Sequence, residues 1–95
     1  MSWVLRFASG IEKDLRGIDK SDARFIIDSL ESFAAAFSPA YEAELLKMGK
    51  VKVLGGKWKG FHRLRLRSWR AIYRSYGQTL VILVVRVAHR REDYR

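Results

Sequence analysis

Hydrophobic side chains recur at helical spacing in the segment KSDARFIIDSLESFAAAFS. Ile26, Leu30, Phe33 and Phe37 fall at i, i+4, i+7 and i+11, which places them on one face of a helix. Pro39 ends this pattern, because proline cannot continue a helix. The spacing therefore predicts a long amphipathic helix whose apolar face packs against another layer.

Two shorter segments flank this helix. Ser9–Glu12 has the S-x-x-E spacing of a capping box, which predicts a short helix over about residues 10–17. Either Asp19 or Ser21 can cap the long helix. The segment 39–49 fits a short third helix or an ordered loop equally well.

The rest of the chain has the patterns of β-strands. A first strand is predicted over 2–8, and four more follow between glycine-punctuated turns, over 50–54, 61–67, 70–76 and 79–88. This order predicts one α+β domain spanning the whole chain. Two N-terminal helices are expected to pack on one face of a twisted, mostly antiparallel sheet of four to five strands.

The composition fits a folded domain, since 48% of the residues are hydrophobic. The chain has no Cys, which excludes a disulfide framework and a thiolate metal site. Its N-terminus lacks the pattern of a signal peptide, and its longest apolar run, LVILVV, is too short to span a bilayer. We therefore expect a soluble, cytoplasmic protein that does not bind membranes.

The charge is distributed unevenly. Residues 1–48 have a net charge of −2 and residues 49–95 a net charge of +11, within a total of +9. Such asymmetry is typical of a surface that binds a polyanion. The stretch FHRLRLRSWRAIYR alone carries five Arg on one predicted hairpin, where like charges on neighbouring strands repel. An anionic ligand would compensate this repulsion.

Alternation along the strands assigns these side chains to two faces. The face toward the helices is expected to contain Leu64, Leu66, Ala71, Tyr73, Val85 and Val87. The opposite face is expected to present Arg63, Arg65, Arg70, Arg74, Arg86 and Arg90. Guanidinium groups pair bidentately with phosphate, and nearby aromatic rings offer stacking surfaces for bases. The pattern thus indicates a face that binds nucleic acid.

The stretch from Lys52 to Arg95 resembles the RelE/ParE superfamily of bacterial and archaeal toxins from type II toxin–antitoxin systems. The resemblance lies in a K-x-L-x-G entry strand, the strand RLRLR, the turn into WRAIY, and an apolar strand that runs into HRREDYR. The N-terminal half matches in the order of its elements only. The ending H-R-x-x-x-Y is similar to the RelE branch.

The resemblance implies a RelE-like fold and a ribosome-dependent endoribonuclease. Such toxins enter the ribosomal A site and cut the mRNA without a metal or another cofactor. The nucleophile is the 2′-hydroxyl of the mRNA itself, and the products carry a 2′,3′-cyclic phosphate and a 5′-hydroxyl. The implied partners are a cognate antitoxin and the ribosome with mRNA in its A site, while DNA is contacted only through the toxin–antitoxin complex.

The same resemblance assigns roles to single residues. Arg70 would hold the scissile phosphate, Arg90 would do the same or protonate the leaving 5′-oxygen, and Tyr94 would orient or stack on the substrate. Arg63 and Arg65 stand where the best-known family pattern has Lys. Because Arg stays protonated, these two can clamp phosphate and stabilise the transition state but cannot act as a general base.

A general base would have to be a histidine, or no side chain of this protein. His62 is expected to face the helices and to be structural. His89 stands at the end of the last predicted strand, and an imidazole can transfer protons, so a catalytic and a supporting role both remain open. Further RNA contacts are expected from basic residues around the site: Arg67, Arg74, Arg86, Lys57, Lys59 and Arg91.

Two other functions fit these residues. A ParE-like toxin on the same fold would inhibit DNA gyrase and cut no RNA; the loss of both family lysines favours it, whereas Arg90 and Tyr94 favour RelE. An RNA-binding or ribosome-binding module without catalysis would bind with a steep salt dependence and release no cleaved product.

Overall fold

The computed structural model describes residues 3–91. In chain order the elements are β1 (Val4–Phe7), α1 (Gly10–Arg16), α2 (Lys20–Ala36), α3 (Pro39–Lys47), β2 (Val51–Val53), a 3-10 turn (Gly56–Trp58), β3 (His62–Leu66), β4 (Trp69–Tyr76) and β5 (Val81–His89). The predicted long helix and the five predicted strands are confirmed. The described part of the chain contains no helix of the length and apolarity needed to cross a membrane.

The five strands form one mixed sheet in the order β1-β5-β4-β3-β2. β1 pairs with β5 in parallel, and the other three pairs are antiparallel. This confirms the α+β class and the mostly antiparallel sheet. The structure has three helices before β2 rather than two, because the segment after Pro39 is helical.

Local capping explains where α2 and α3 begin. The carboxylate of Asp19 accepts a hydrogen bond from the N–H of Ser21 at 3.2 Å and caps α2. The hydroxyl of Ser38 accepts from the N–H of Tyr41 at 3.0 Å, and Pro39 occupies the first position of α3. The proline that ends one helix therefore begins the next.

The predicted capping box of α1 is wrong. Ser9 has a helical backbone conformation, with φ −58° and ψ −29°, and its side chain makes no capping hydrogen bond. A cap residue needs a non-helical backbone to aim its side chain at the first free N–H groups. The N–H of Ile11 is instead bonded to the carbonyl of Ala8 at 3.1 Å.

The hydrophobic core lies between the helices and one face of the sheet. Ile26, Leu30 and Phe33 of α2 are buried in it, as the helical spacing predicts. Tyr73 is the largest fully buried side chain, and its ring meets that of Phe33 edge-on at 5.1 Å. From the strands the core receives Leu64, Leu66, Ala71, Ile82, Val84 and Val87.

Val85 does not lie in this core as predicted. Ile72 pairs with Arg86 while Tyr73 pairs with Val84, so Val85 is an extra residue that forms a β-bulge in β5. Strict alternation fails at such a point, and Val84 takes the buried position instead. The bulge also puts Arg86 on the far side of the sheet from the helices.

Candidate functional site

The face of the sheet turned away from the helices is dominated by arginine. It is the side opposite the strand residues that enter the core. We use the name arginine face for the side chains of Arg63, Arg65, Arg70, Arg74, Arg86 and Arg90.

Two of these arginines lie directly opposite each other. Arg65 of β3 pairs with Arg70 of β4, and Arg70 pairs on its other side with Ala88 of β5. The Nη1 of Arg70 donates to the carbonyls of Arg67 and Trp69 at 3.2 Å and 3.1 Å. These bonds hold the Arg70 guanidinium beside the β3–β4 turn, so its charge is positioned in advance.

Arg90 joins the same end of the arginine face. Its backbone N–H donates to the carbonyl of Ser68 at 2.7 Å, which ties the chain after β5 to the β3–β4 turn. Arg90 is exposed and follows Ala88, the partner of Arg70, by two residues. The structure thus brings Arg65, Arg70 and Arg90 to one end of the sheet.

A second pair of arginines lies one step along the strands. Ile72 is fully buried and is flanked by Arg63 on β3 and Arg86 on β5. The apolar stems of two such arginines can cover an aliphatic side chain while their charged ends stay outside. Among residues 3–91, the buried Nε of Arg86 has no hydrogen-bond partner.

The structure adds Lys52 to the positive surface, a residue that the sequence analysis missed. Lys52 of β2 lies opposite Arg63 and is exposed. Its neighbour Val51 pairs with Leu64 and is buried. The alternation in KVKV was the available signal, since it separates the valines from the lysines.

Asp14 was also missed, and it supports β5 beside the bulge. β1 pairs with β5 only as far as Val84, so the following part of β5 has no strand on that side. The carboxylate of Asp14, on α1, accepts a hydrogen bond from the N–H of Val87 at 2.9 Å. This satisfies a backbone donor that the sheet leaves unpaired.

The other end of the arginine face combines a cation with aromatic rings. The guanidinium carbon of Arg74 lies 5.6 Å from the ring centre of Phe61 and 5.4 Å from that of Tyr76. Both distances fit cation–π contacts. The ring of Trp58 meets Phe61 edge-on at 5.6 Å.

The predicted lysines lie near this aromatic end. They flank Trp58 in the loop between β2 and β3, and both are exposed: Lys57 and Lys59. The chain therefore carries positive charge along β3, β4 and β5 and at the loop beside Phe61.

Other predicted site residues lie elsewhere. Arg67 has a φ of 57°, and its guanidinium lies 4.0 Å above the ring centre of Phe25, on the helix side. His89 pairs with Trp69, which packs against the core, and their rings meet edge-on at 5.1 Å. The Nδ1 of His89 accepts from the N–H of exposed Arg91 at 3.2 Å.

The His89 ring therefore lies on the helix side of the sheet, away from the arginine face that carries Arg70. The ring of His62 lies on the helix side as well. The predicted residue Tyr94 lies outside the described residues, so its position is not part of this geometry.

His62 faces the helices, as predicted. Its ring stacks on that of Tyr73 at 5.4 Å, and its Nε2 lies 4.0 Å from Oε2 of Glu42. The Tyr73 hydroxyl donates to the same carboxylate at 2.5 Å. Burial, helped by this hydrogen bond and by the charge of Glu42, raises the pKa of Tyr73 far above its usual value. Nowhere in residues 3–91 do three His, Asp or Glu side chains cluster closely enough to hold a metal ion.

Known structures share this fold. The toxin–antitoxin complex RelBE2 from Mycobacterium tuberculosis has a TM-score of 0.70 at 19% identity, over 97% of this chain and 95% of that chain. The archaeal RelE–RelB complex from Pyrococcus horikoshii OT3 gives 0.69 at 18% identity, over 98% and 100%. The intact RelBE toxin–antitoxin complex of E. coli gives 0.60 at 18% identity, over 93% and 96%. Identities this low show a common fold only.

Sequence comparison identifies the family. Comparison with curated proteins gives no significant match. The family model described as "ParE toxin of type II toxin-antitoxin system, parDE" matches residues 5–94, and this confirms the resemblance to the RelE/ParE superfamily. Since that match covers almost the whole chain, the protein belongs to the ParE toxin family of type II toxin–antitoxin systems, within the RelE/ParE superfamily.

Proposed function

We propose that this toxin is a ribosome-dependent mRNA endoribonuclease that inhibits translation by cutting the message in the A site. The proposal rests on one observation above all. Arg65 and Arg70 lie directly opposite each other, and the chain at Arg90 is bonded to the same turn that holds Arg70. Three permanent positive charges at one end of the sheet are suited to a phosphate that gains negative charge during the reaction.

The reaction we propose is an internal transfer within the RNA. The 2′-hydroxyl oxygen forms a bond to the neighbouring phosphorus, and the bond from phosphorus to the 5′-oxygen breaks. The 2′-hydroxyl loses its proton and the leaving 5′-oxygen gains one. The products are a 2′,3′-cyclic phosphate and a 5′-hydroxyl, and the RNA supplies its own nucleophile, so we expect no requirement for a metal or another cofactor.

The arginines stabilise this transition state electrostatically and do not remove the proton, because guanidinium groups stay protonated. Arg70 holds the scissile phosphate, and Arg65 and Arg90 share its growing charge. Both histidines lie on the helix side of the sheet. We therefore assign the proton transfers to water or to groups of the ribosome, and Tyr94 keeps its predicted role of orienting or stacking on the substrate.

A cognate antitoxin is the proposed protein partner. The similar structures include toxin–antitoxin complexes from bacteria and archaea. An antitoxin that covers the arginine face would block RNA and compensate the repulsion among the arginines. In this proposal the toxin works in the cytoplasm, and it contacts DNA only as part of the toxin–antitoxin complex.

The test is a reconstituted translation reaction with the purified toxin, run with and without ribosomes. We expect breaks at A-site codons only when ribosomes translate the message, with cyclic phosphate at the new 3′ ends. An intact message with translation stalled would contradict cleavage and would indicate a ribosome-binding protein.

A ParE-like inhibitor of DNA gyrase is the second candidate. The family model that matches is the ParE model, and arginine occupies both positions where the RelE pattern has lysine. A supercoiling assay with purified gyrase separates the two. Inhibited supercoiling together with an intact message and normal translation would replace the nuclease with this function.

A further inference from the structure

We propose that the aromatic end of the arginine face is a second RNA subsite, which stacks a nucleobase of the substrate several nucleotides from the scissile phosphate. The subsite comprises Phe61, Arg74 and Tyr76, which we name the aromatic platform. This inference rests on the proposal that RNA is the ligand of the arginine face.

The platform has two surfaces suited to a base. Tyr76 keeps 39% of its surface exposed. Arg74 lies within cation–π distance of both rings, so a planar charged group stands beside an accessible ring. Aromatic rings and guanidinium planes are the surfaces on which proteins stack unpaired bases.

Arg74 is also held in place. A side chain at Gly60 would begin 3.6 Å from the guanidinium carbon of Arg74, and Gly60 has a φ of 92°. A larger residue here would be strained by that backbone conformation, and its Cβ would lie in van der Waals contact with the guanidinium. The loop after the 3-10 turn therefore packs closely on Arg74 and limits its freedom before any ligand binds.

A cavity adjoins the platform. It has a volume of about 300 Å³, and its wall includes Arg74, Tyr76, Gln78 and Thr79. The side-chain amide of Gln78 can both donate and accept hydrogen bonds, as the edge of a base requires. Ring, cation and amide thus converge on one hollow at the β4–β5 turn.

The platform is collinear with the proposed catalytic end. Arg70, Ile72, Arg74 and Tyr76 alternate along β4, so they lie on one face. Tyr76 follows Arg70 by six residue steps along the strand, which corresponds to about 20 Å. Between them lies the pair Arg63 and Arg86, which flanks Ile72. An extended single strand bound at Arg70 would meet further cations and then the platform.

The experiment measures binding of the full toxin to a single-stranded RNA octanucleotide by fluorescence anisotropy. The probe is 2′-O-methylated, so that the proposed chemistry cannot cut it. The variants are Tyr76→Ala, Tyr76→Leu, Tyr76→Phe and Arg70→Ala. Arg24→Ala on α2 is the control for charge, and thermal unfolding confirms that each variant is folded.

We expect Tyr76→Ala and Tyr76→Leu to weaken binding roughly fivefold to a hundredfold, the usual range for loss of one stacked base. Tyr76→Phe and Arg24→Ala should bind like the wild type. In a series of octamers with one abasic residue at each position, one position should lose affinity to a similar extent. With the octamer that is abasic at this position, Tyr76→Ala should weaken binding no further, because the two changes remove the same contact.

Equal binding by Tyr76→Ala, Tyr76→Leu and the wild type would overturn the subsite. If Arg70→Ala still weakened binding in that case, the proposal that the protein is a nuclease would stand. Coupling between Tyr76 and one base, found in a toxin that leaves translated mRNA intact, would retain the subsite and overturn the nuclease. An octamer that does not bind the wild type at all would overturn the subsite as well.

Discussion

Arg65 and Arg70 lie directly opposite each other on β3 and β4. Side chains in such positions have Cβ atoms about 5 Å apart, and like charges there destabilise a sheet. A fold that retains this arrangement holds two positive charges where an anion can reach both. The pair therefore links stability to ligand binding, and each can be measured separately.

Replacing Arg65 with Thr should make the toxin more stable and a weaker RNA binder. The change removes the repulsion with Arg70 and places a good strand former at an exposed position, so we expect the free energy of unfolding to rise by up to about 1 kcal/mol. Urea denaturation measures this. Arg6→Thr on β1 is the matched control, since Arg6 lies opposite Leu83 rather than a cation. A lower stability for Arg65→Thr would contradict the repulsion.

Arg86→Gln should reduce the salt dependence of RNA binding. If Arg86 contacts one phosphate of a single strand, its loss should make the slope of log K against log salt concentration shallower by about 0.7. Titrations at several salt concentrations provide the slope. Arg24→Gln, on the helix layer, should leave it unchanged. A slope that stays the same in Arg86→Gln would show that the charge of Arg86 does not contact a phosphate of the RNA.

Asp14→Ala should destabilise β5 at the point where β1 ends. The N–H of Val87 would lose its partner, and a buried unsatisfied donor costs about 1–3 kcal/mol. Asp14→Asn keeps an acceptor oxygen, so this variant should lose less stability than Asp14→Ala. Hydrogen exchange at the Val87 amide reports this site directly. Exchange that is equally slow in Asp14→Ala and the wild type would show that the carboxylate does not protect it.

The stability of the protein should fall above about pH 10 through Tyr73. Burial raises the pKa of Tyr73, so the folded state keeps its proton where the unfolded chain, with a pKa of about 10, releases it. This contribution is fully present below pH 10 and declines above it by about 1.4 kcal/mol per pH unit.

Tyr73→Phe cannot lose that proton. At neutral pH the variant should be less stable, because the hydrogen bond to Glu42 is gone. The difference from the wild type should then narrow as the pH rises above 10. Denaturation between pH 7 and pH 11 tests this, with Tyr76→Phe, at an exposed ring, as the matched control. A constant difference would contradict the burial of the Tyr73 hydroxyl.

The spacing of hydrophobic residues predicted most of the fold, because burial of one face of each helix and strand dictates that spacing. Ile26, Leu30 and Phe33 could be assigned to one helix face from spacing alone, and they lie in the core. The predicted capping box at Ser9 was wrong because the backbone of Ser9 is already helical where α1 begins. The predicted burial of Val85 was wrong because a β-bulge shifts the alternation of side chains along β5, and no residue pattern in the sequence indicates that bulge.

The candidate site could be predicted only in part. Alternation placed Arg65 and Arg70 on one face correctly, since both lie in regular segments. It could not show that Arg67 turns toward Phe25, because that depends on the left-handed conformation of one turn residue. Asp14 could not be found, because its partner is a backbone N–H distant in sequence.

Primer extension on an mRNA in a purified translation reaction tests the central claim most directly. Wild-type toxin, Arg70→Ala and the surface control Arg24→Ala are compared at equal concentration. Cleavage within A-site codons by the wild type and by Arg24→Ala, and its loss in Arg70→Ala, is the predicted result. Cleavage that persists unchanged in Arg70→Ala, or a message that stays intact with all three proteins, would contradict the claim that the arginine face cuts mRNA.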